Sequence, residues 1–188
     1  MAGCDFGRSA SETRRVRAAP VVALWPPAGE WYPFLMMKPT LVSEDSGAPA
    51  HLGLTEGEVQ VVRDTFNLVA PRAEVAARIF YRRLFELDPG LRSLFHTDIN
   101  EQGRKLMQML AAGVRLLDKP EALLPVVEDL GRRHVNYGVR DEHYDTVGHA
   151  LLWTLAEILG PRCTEDVTAV WAKFYTALAG VMKGAPIA

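Results

Sequence analysis

The spacing of apolar positions changes character near Gly53, and the two sides of that boundary predict different kinds of chain. From Leu54 onward apolar residues recur every three or four positions, the mark of helices with one buried face. Val59, Val62, Phe66 and Val69 share such a face, behind the capping sequence Thr55-Glu56-Gly57-Glu58. The Thr55 hydroxyl satisfies an orphan N–H while Glu58 reaches back, so this helix start is specified locally. Pro71 interrupts, and a second helix is expected to run to about Leu87. Its apolar residues (Val75, Ile79, Phe80, Tyr81, Leu84, Phe85) spread round more than one face, which predicts burial on several sides. Asp88-Pro89 pairs an N-cap with a proline that needs no N–H, and opens a short turn ending at Phe95. Asp98 and Glu101 repeat the capping spacing before a long helix bearing Leu106, Leu110, Val114 and Leu117, broken at Lys119-Pro120. A further helix is expected from roughly Pro125, with Val127, Leu130 and His134 on one stripe and a stop at Gly138. Asp141 is expected to cap the next, with Tyr144, Val147, Leu151, Leu155 and Ile158, closed by Gly160-Pro161. Thr164 caps the last, which carries Val167, Val170, Trp171, Phe174, Leu178 and Val181. The pattern predicts an all-α domain over residues 54–188, with six main helices and one short turn.

Residues 1–53 have no sustained period, and Pro20, Pro26, Pro27, Pro33, Pro39 and Pro49 would break any helix begun there. A Pro-rich, disordered extension is expected. Trp25, Trp31, Tyr32 and Phe34 sit awkwardly in such a segment. They fit either an adhesive element or an over-extended start, with Met36 or Met37 as the true beginning.

Composition narrows the function classes. The 188 residues are 48 % hydrophobic and 23 % charged, which is enough for a buried core. A net charge of −2 argues against a nucleic-acid binder that relies on a broad basic surface. No apolar run is long enough for a membrane span, and Cys4 and Cys163 cannot build a disulfide framework. A cytoplasmic protein without nucleic-acid or membrane partners is expected. No phosphate-binding glycine loop, no zinc-type H-E-x-x-H and no cysteine pair is present. Beyond the extension the only serine is Ser93, which leaves a Ser–His–Asp hydrolase almost nothing to build on.

Three polar residues interrupt apolar stripes. Stepping back by fours from Leu110 through Leu106 reaches Gln102, and stepping forward from Val127 through Leu130 reaches His134. Tyr81 lies four residues after Ala77 and four before Phe85 on the buried second helix. Each alone reads as an ordinary satisfied core residue. Together they place an imidazole on one wall of an apolar cleft and amide and phenol donors on another.

At these residues the sequence resembles the globins. Pro89 and Phe95 match the globin turn whose phenylalanine stacks on the haem. Gly131-Arg132-Arg133-His134 with Tyr137-Gly138-Val139 is similar to the proximal-histidine region. Asp145-Thr146-Val147-Gly148, Gly160-Pro161, Trp171 and Tyr175 continue the likeness, which spans Leu54 to about Lys183. It is strongest to neuroglobin-like and bacterial single-domain globins of the Hell's Gate type, and weaker to the haem domain of flavohaemoglobins. The resemblance implies the globin fold, helices A–C and E–H around a haem b pocket, with His134 as proximal iron ligand. Its other ring nitrogen should donate to a backbone carbonyl. Tyr81 and Gln102 take the distal positions, with Leu106 one turn further on. Leu130, Val139, Tyr144 and Val147 pack the macrocycle, Phe95 stacks on it, and Lys105 serves a haem propionate. Ala77 and Gly103 fall where two helices cross closely.

By that likeness the protein binds oxygen reversibly and with high affinity, and also takes carbon monoxide and nitric oxide. Gln102 is a poor iron ligand, so a five-coordinate ferrous state is expected. The alternative is nitric oxide dioxygenation. The flavohaemoglobin carboxylate that would face Tyr144 corresponds here to Gly184, and the chain lacks a dinucleotide-binding motif, so that reading requires a separate reductase. A regulatory role ranks last.

Overall fold

The computed structural model describes residues 52–95 and 97–184. Apart from Leu52 and Gly53, the extension expected at residues 1–53 lies outside them. Six α-helices follow one another: α1 Glu56–Val69, α2 Ala73–Leu87, α3 Ile99–Arg115, α4 Pro120–Asn136, α5 Asp141–Leu159 and α6 Glu165–Lys183. Short 3₁₀ turns at Ala70–Arg72, Pro89–Leu94 and Gly160–Arg162 join three of the pairs. The all-α expectation is met throughout the described residues.

Local chemistry sets most of the boundaries. The Thr55 hydroxyl accepts from the Glu58 N–H at 3.3 Å, while Glu58 accepts from the Thr55 N–H at 2.7 Å, which completes the capping box. Asp88 accepts from the Gly90 N–H at 2.9 Å, and Thr164 from Val167 at 3.3 Å. At Gly138 the backbone turns to φ +78°, a conformation glycine takes at no steric cost, and α4 stops.

Two starts differ from the sequence expectation, and a third keeps its cap without the expected closure. Helix α4 begins at Pro120 rather than near Pro125. Pro120 occupies the first helical position, where no N–H is needed. Pro125 lies inside the helix on an exposed face, where water can serve the carbonyl it leaves unpaired. Helix α5 is capped from Arg140, not Asp141: the extended Arg140 donates its N–H to Nδ1 of His143 at 3.0 Å. Asp141 and Glu142 instead occupy the first turn, where acids complement the helix dipole. Asp98 does cap α3, accepting from Asn100 and Glu101, but Glu101 pairs with Lys105 instead of closing a box.

Helix α2 is central, packed on α5 and α3, while α6 covers α4, α5 and α1. The α1–α6 contact is pinned by a buried chain of hydrogen bonds. Trp171, fully buried, donates its indole N–H to Thr65 Oγ1 at 2.8 Å, and Thr65 donates in turn to the Val61 carbonyl at 2.6 Å. Helices α3 and α4 are neighbours in sequence, yet α3 packs mainly on α2 and α4 on α6. Of the polar interruptions, Tyr81 lies on α2, Gln102 on α3 and His134 on α4.

Candidate functional site

Helix α4 presents His134 near its C-terminal end. Nδ1 hydrogen-bonds the Leu130 carbonyl one turn back at 2.8 Å, which fixes the ring and, with Nδ1 as donor, leaves Nε2 as a lone-pair donor. Nε2 has no partner among the described residues. Burial holds the imidazole's pKa below the ordinary histidine value, although the Leu130 bond opposes this. A neutral imidazole with one nitrogen anchored and the other unengaged is the state that ligates a metal.

Tyr144, from α5, stacks on that imidazole with ring centroids 6.2 Å apart and 28° between planes. Its own position is fixed from α6. Tyr175 donates its hydroxyl to the Tyr144 carbonyl at 2.6 Å, and a Cβ on Gly148 would stand 2.7 Å from the Tyr175 ring. Lys183 sits 5.3 Å above the Tyr144 ring, a cation against its π face. Val139 follows the turn after α4 and donates its N–H to the His134 carbonyl at 3.0 Å. Leu130, Val139 and Val147 are half-buried.

The other expected site residues lie on α2, on α3 and in the turn before α3. Tyr81 is buried in an aromatic cluster, 5.4 Å from Phe95 in an edge arrangement and 5.9 Å from Phe85. Its hydroxyl has no hydrogen-bond partner among the described residues, and desolvation pushes the phenol up to about pKa 12, so it stays protonated. Gln102 and Leu106 are half-buried on α3. The Gln102 amide donates to Thr97 Oγ1, a partner the sequence pattern did not suggest, and makes no bond to Tyr81. Lys105 is exposed and ion-paired with Glu101 at 2.7 Å.

Ala77 and Gly103 do cross closely, as their small size suggested: a Cβ on Gly103 would lie 2.8 Å from that of Ala77. Tyr175, Thr97 and Lys183 are the supporting residues that periodicity missed. Each acts through a bond across elements, which no stripe along one helix can reveal. A separate cavity of about 710 Å³ lies between α1, α2 and α3 and is lined by none of Tyr81, Gln102 or His134.

Fold and site together define an α-helical domain with an imidazole anchored near the end of α4. The Globin family profile matches residues 78–182. The chain is 37 % identical over 127 residues to a flavohaemoprotein of Bordetella parapertussis, covering 66 % of this chain and 32 % of that one. It is 31 % identical over 134 residues to the flavohaemoprotein of Rhizobium meliloti, covering 70 % and 33 %. The chain thus spans about a third of the length of these curated relatives. Among solved structures, an engineered carbene transferase derived from RmaNOD, a candidate nitric oxide dioxygenase of Rhodothermus marinus, aligns with TM-score 0.63 and 32 % identity, covering 69 % of this chain and 90 % of that one. A hexacoordinated haem protein from an anhydrobiotic tardigrade shares the fold at TM-score 0.66 and 17 % identity, covering 72 % and 96 %. The chain belongs to the globin family.

Proposed function

We propose that this domain holds haem b through His134 and binds oxygen reversibly and tightly, with Tyr81 and Gln102 as the donors that grip it. One observation carries the reading: His134 is anchored by Leu130 through one nitrogen and unengaged at the other among the described residues, and burial disfavours its charged form. The slot chemistry fits a flat apolar macrocycle. Phe95, Leu106, Leu130, Val139 and Val147 are all left half-buried, an apolar surface that a planar ring would cover. Haem held by His134 would supply a ferrous iron able to take a diatomic gas.

The protein's own residues then decide which gas is held. The Tyr81 ring is buried, and its hydroxyl is protonated and has no partner among the described residues, so it can donate to a polarised guest at no cost in broken bonds. Gln102 spends one N–H on Thr97 and keeps the other. Phe85 and Phe95 hold the phenol ring in place. Oxygen, the more polarised ligand, gains most from such donors, and carbon monoxide less. Lys105 is exposed near the start of α3, where exchanging Glu101 for a propionate costs little.

The test is the absorption spectrum of the full chain supplied with haemin, reduced, then exposed to oxygen and to carbon monoxide. A one-to-one coloured complex with a five-coordinate reduced form is expected, and His134→Ala should abolish it. A colourless protein, or a spectrum unmoved by that substitution, overturns the reading.

A second reading is nitric oxide dioxygenation with electrons from a separate reductase. Similarity to the flavohaemoproteins and to RmaNOD supports it. Steady nitric oxide consumption over many turnovers in a cytosolic extract with NADH would favour it. A single turnover would favour binding alone.

A further inference from the structure

Between α1, α2 and α3 lies the cavity of about 710 Å³, within the size range of small-molecule sites. Its floor is apolar where α2 and α3 meet: Phe66, Ala73, Ala77, Ile99 and Met107 line it. Phe66, Ala77 and Met107 are themselves buried, so the floor belongs to the fixed core rather than to mobile surface. Arg78 and Arg104 stand at its edge, both exposed. Neither forms an ion pair with any described residue, whereas Arg63, Arg82, Arg83, Arg132, Arg133 and Arg140 all do. Glu74 also lines the cavity, one turn before Arg78, and pairs with neither arginine. The rim therefore carries two positive charges against one negative.

We infer that this groove binds the anion of a single-chain fatty carboxylic acid, its headgroup on Arg78 and Arg104 and its chain along the apolar floor. A small polar anion would leave the floor uncovered, and a neutral hydrocarbon would gain nothing from the guanidinium groups. Only an amphipathic anion uses both. The site is separate from the proposed gas site and does not depend on haem.

The experiment is calorimetric titration of the full chain with sodium dodecanoate below its micelle concentration. Saturable one-site binding is expected. Arg78→Ala with Arg104→Ala should weaken it at least ten-fold, and Ala73→Trp, which fills the floor, should do the same. Both arginines are exposed, so the double variant should fold as the parent does. Dodecanol should bind at least ten-fold more weakly than dodecanoate. Equal affinity of all variants, equal affinity for the alcohol, or association only with anionic phospholipid vesicles overturns the proposal. Loss of dodecanoate binding when the chain is saturated with haemin also overturns it, since the acid would then be entering the slot beside His134.

Discussion

Gly103 and Ala77 hold α3 and α2 so close that a Cβ on Gly103 would stand 2.8 Å from the Ala77 Cβ, nearer than two carbon atoms can pack. The crossing adjoins both proposed donors. Gln102 is the residue before Gly103, and Tyr81 is one turn after Ala77. The Ala77 methyl is fixed to its backbone and cannot swing away, so any side chain at 103 must push the helices apart. Gly103→Ala gains about 1 kcal/mol in helix propensity but overpacks the crossing at a cost of roughly 1–3 kcal/mol. Net destabilisation is expected in urea denaturation, and Ala77→Gly in the same chain should recover part of it. A stabilised Gly103→Ala protein would show that the crossing is looser than drawn.

The buried chain from Trp171 through Thr65 predicts a second asymmetry. Thr65→Val keeps the shape but strands the indole N–H, 2.8 Å from where its acceptor was. An unsatisfied buried donor costs about 1–3 kcal/mol. Adding Trp171→Phe removes that donor, so the double variant should lose less than the sum of the two single variants. Strict additivity in a double-mutant cycle would mean the bond contributes nothing of its own.

How much of this was legible in the sequence follows from what each feature depends on. Thr55, Asp88 and Thr164 act on backbone groups within three residues, so the starts they set could be read directly. The stripes ending in Gln102 and His134 needed only helical period. The anchor of His134 on Leu130 is also local, one turn apart. The start of α4 was misread because proline breaks a helix in general yet suits its first position, and Pro120 and Pro125 fall on opposite sides of that rule. The role of His143 as the cap of Arg140 was missed because histidine is not a usual partner there. Tyr175, Thr97 and Lys183 were invisible as supports because their partners lie across a turn or on another helix.

Acid should loosen the domain through His149. Its Nε2 is buried without a partner, and burial holds its pKa below the ordinary value; Asp145 opposes this and Arg83 reinforces it. The folded chain therefore keeps this ring neutral where the unfolded chain, near pKa 6.5, takes a proton. Its contribution is complete above about pH 6.5 and is lost as pH falls from there toward the depressed folded value. The haem-free His134 shifts in the same direction. Thermal unfolding followed by circular dichroism should show a melting temperature that drops on acidification, and less steeply in His149→Leu. A parallel slope in that variant would assign the acid sensitivity elsewhere.

The sharpest functional prediction concerns Tyr81. Its ring is buried and its hydroxyl is protonated and free of any described partner, so Tyr81→Phe removes a donor without stranding an acceptor in the fold. The edge contact with Phe95 at 5.4 Å survives the change, which keeps the aromatic cluster as a scaffold. Stability should hence change little, while the oxygen off-rate of the haem-loaded protein should rise. A donor contributing about 1–3 kcal/mol corresponds to roughly a five-fold to hundred-fold faster release. Gln102→Leu should act in the same direction but less, because one amide hydrogen is already committed to Thr97. Carbon monoxide release, measured by ligand replacement in stopped flow, should move much less in both variants. If Tyr81→Phe leaves oxygen release unchanged, or accelerates both gases equally, the phenol serves packing alone and the grip on oxygen must come from α3.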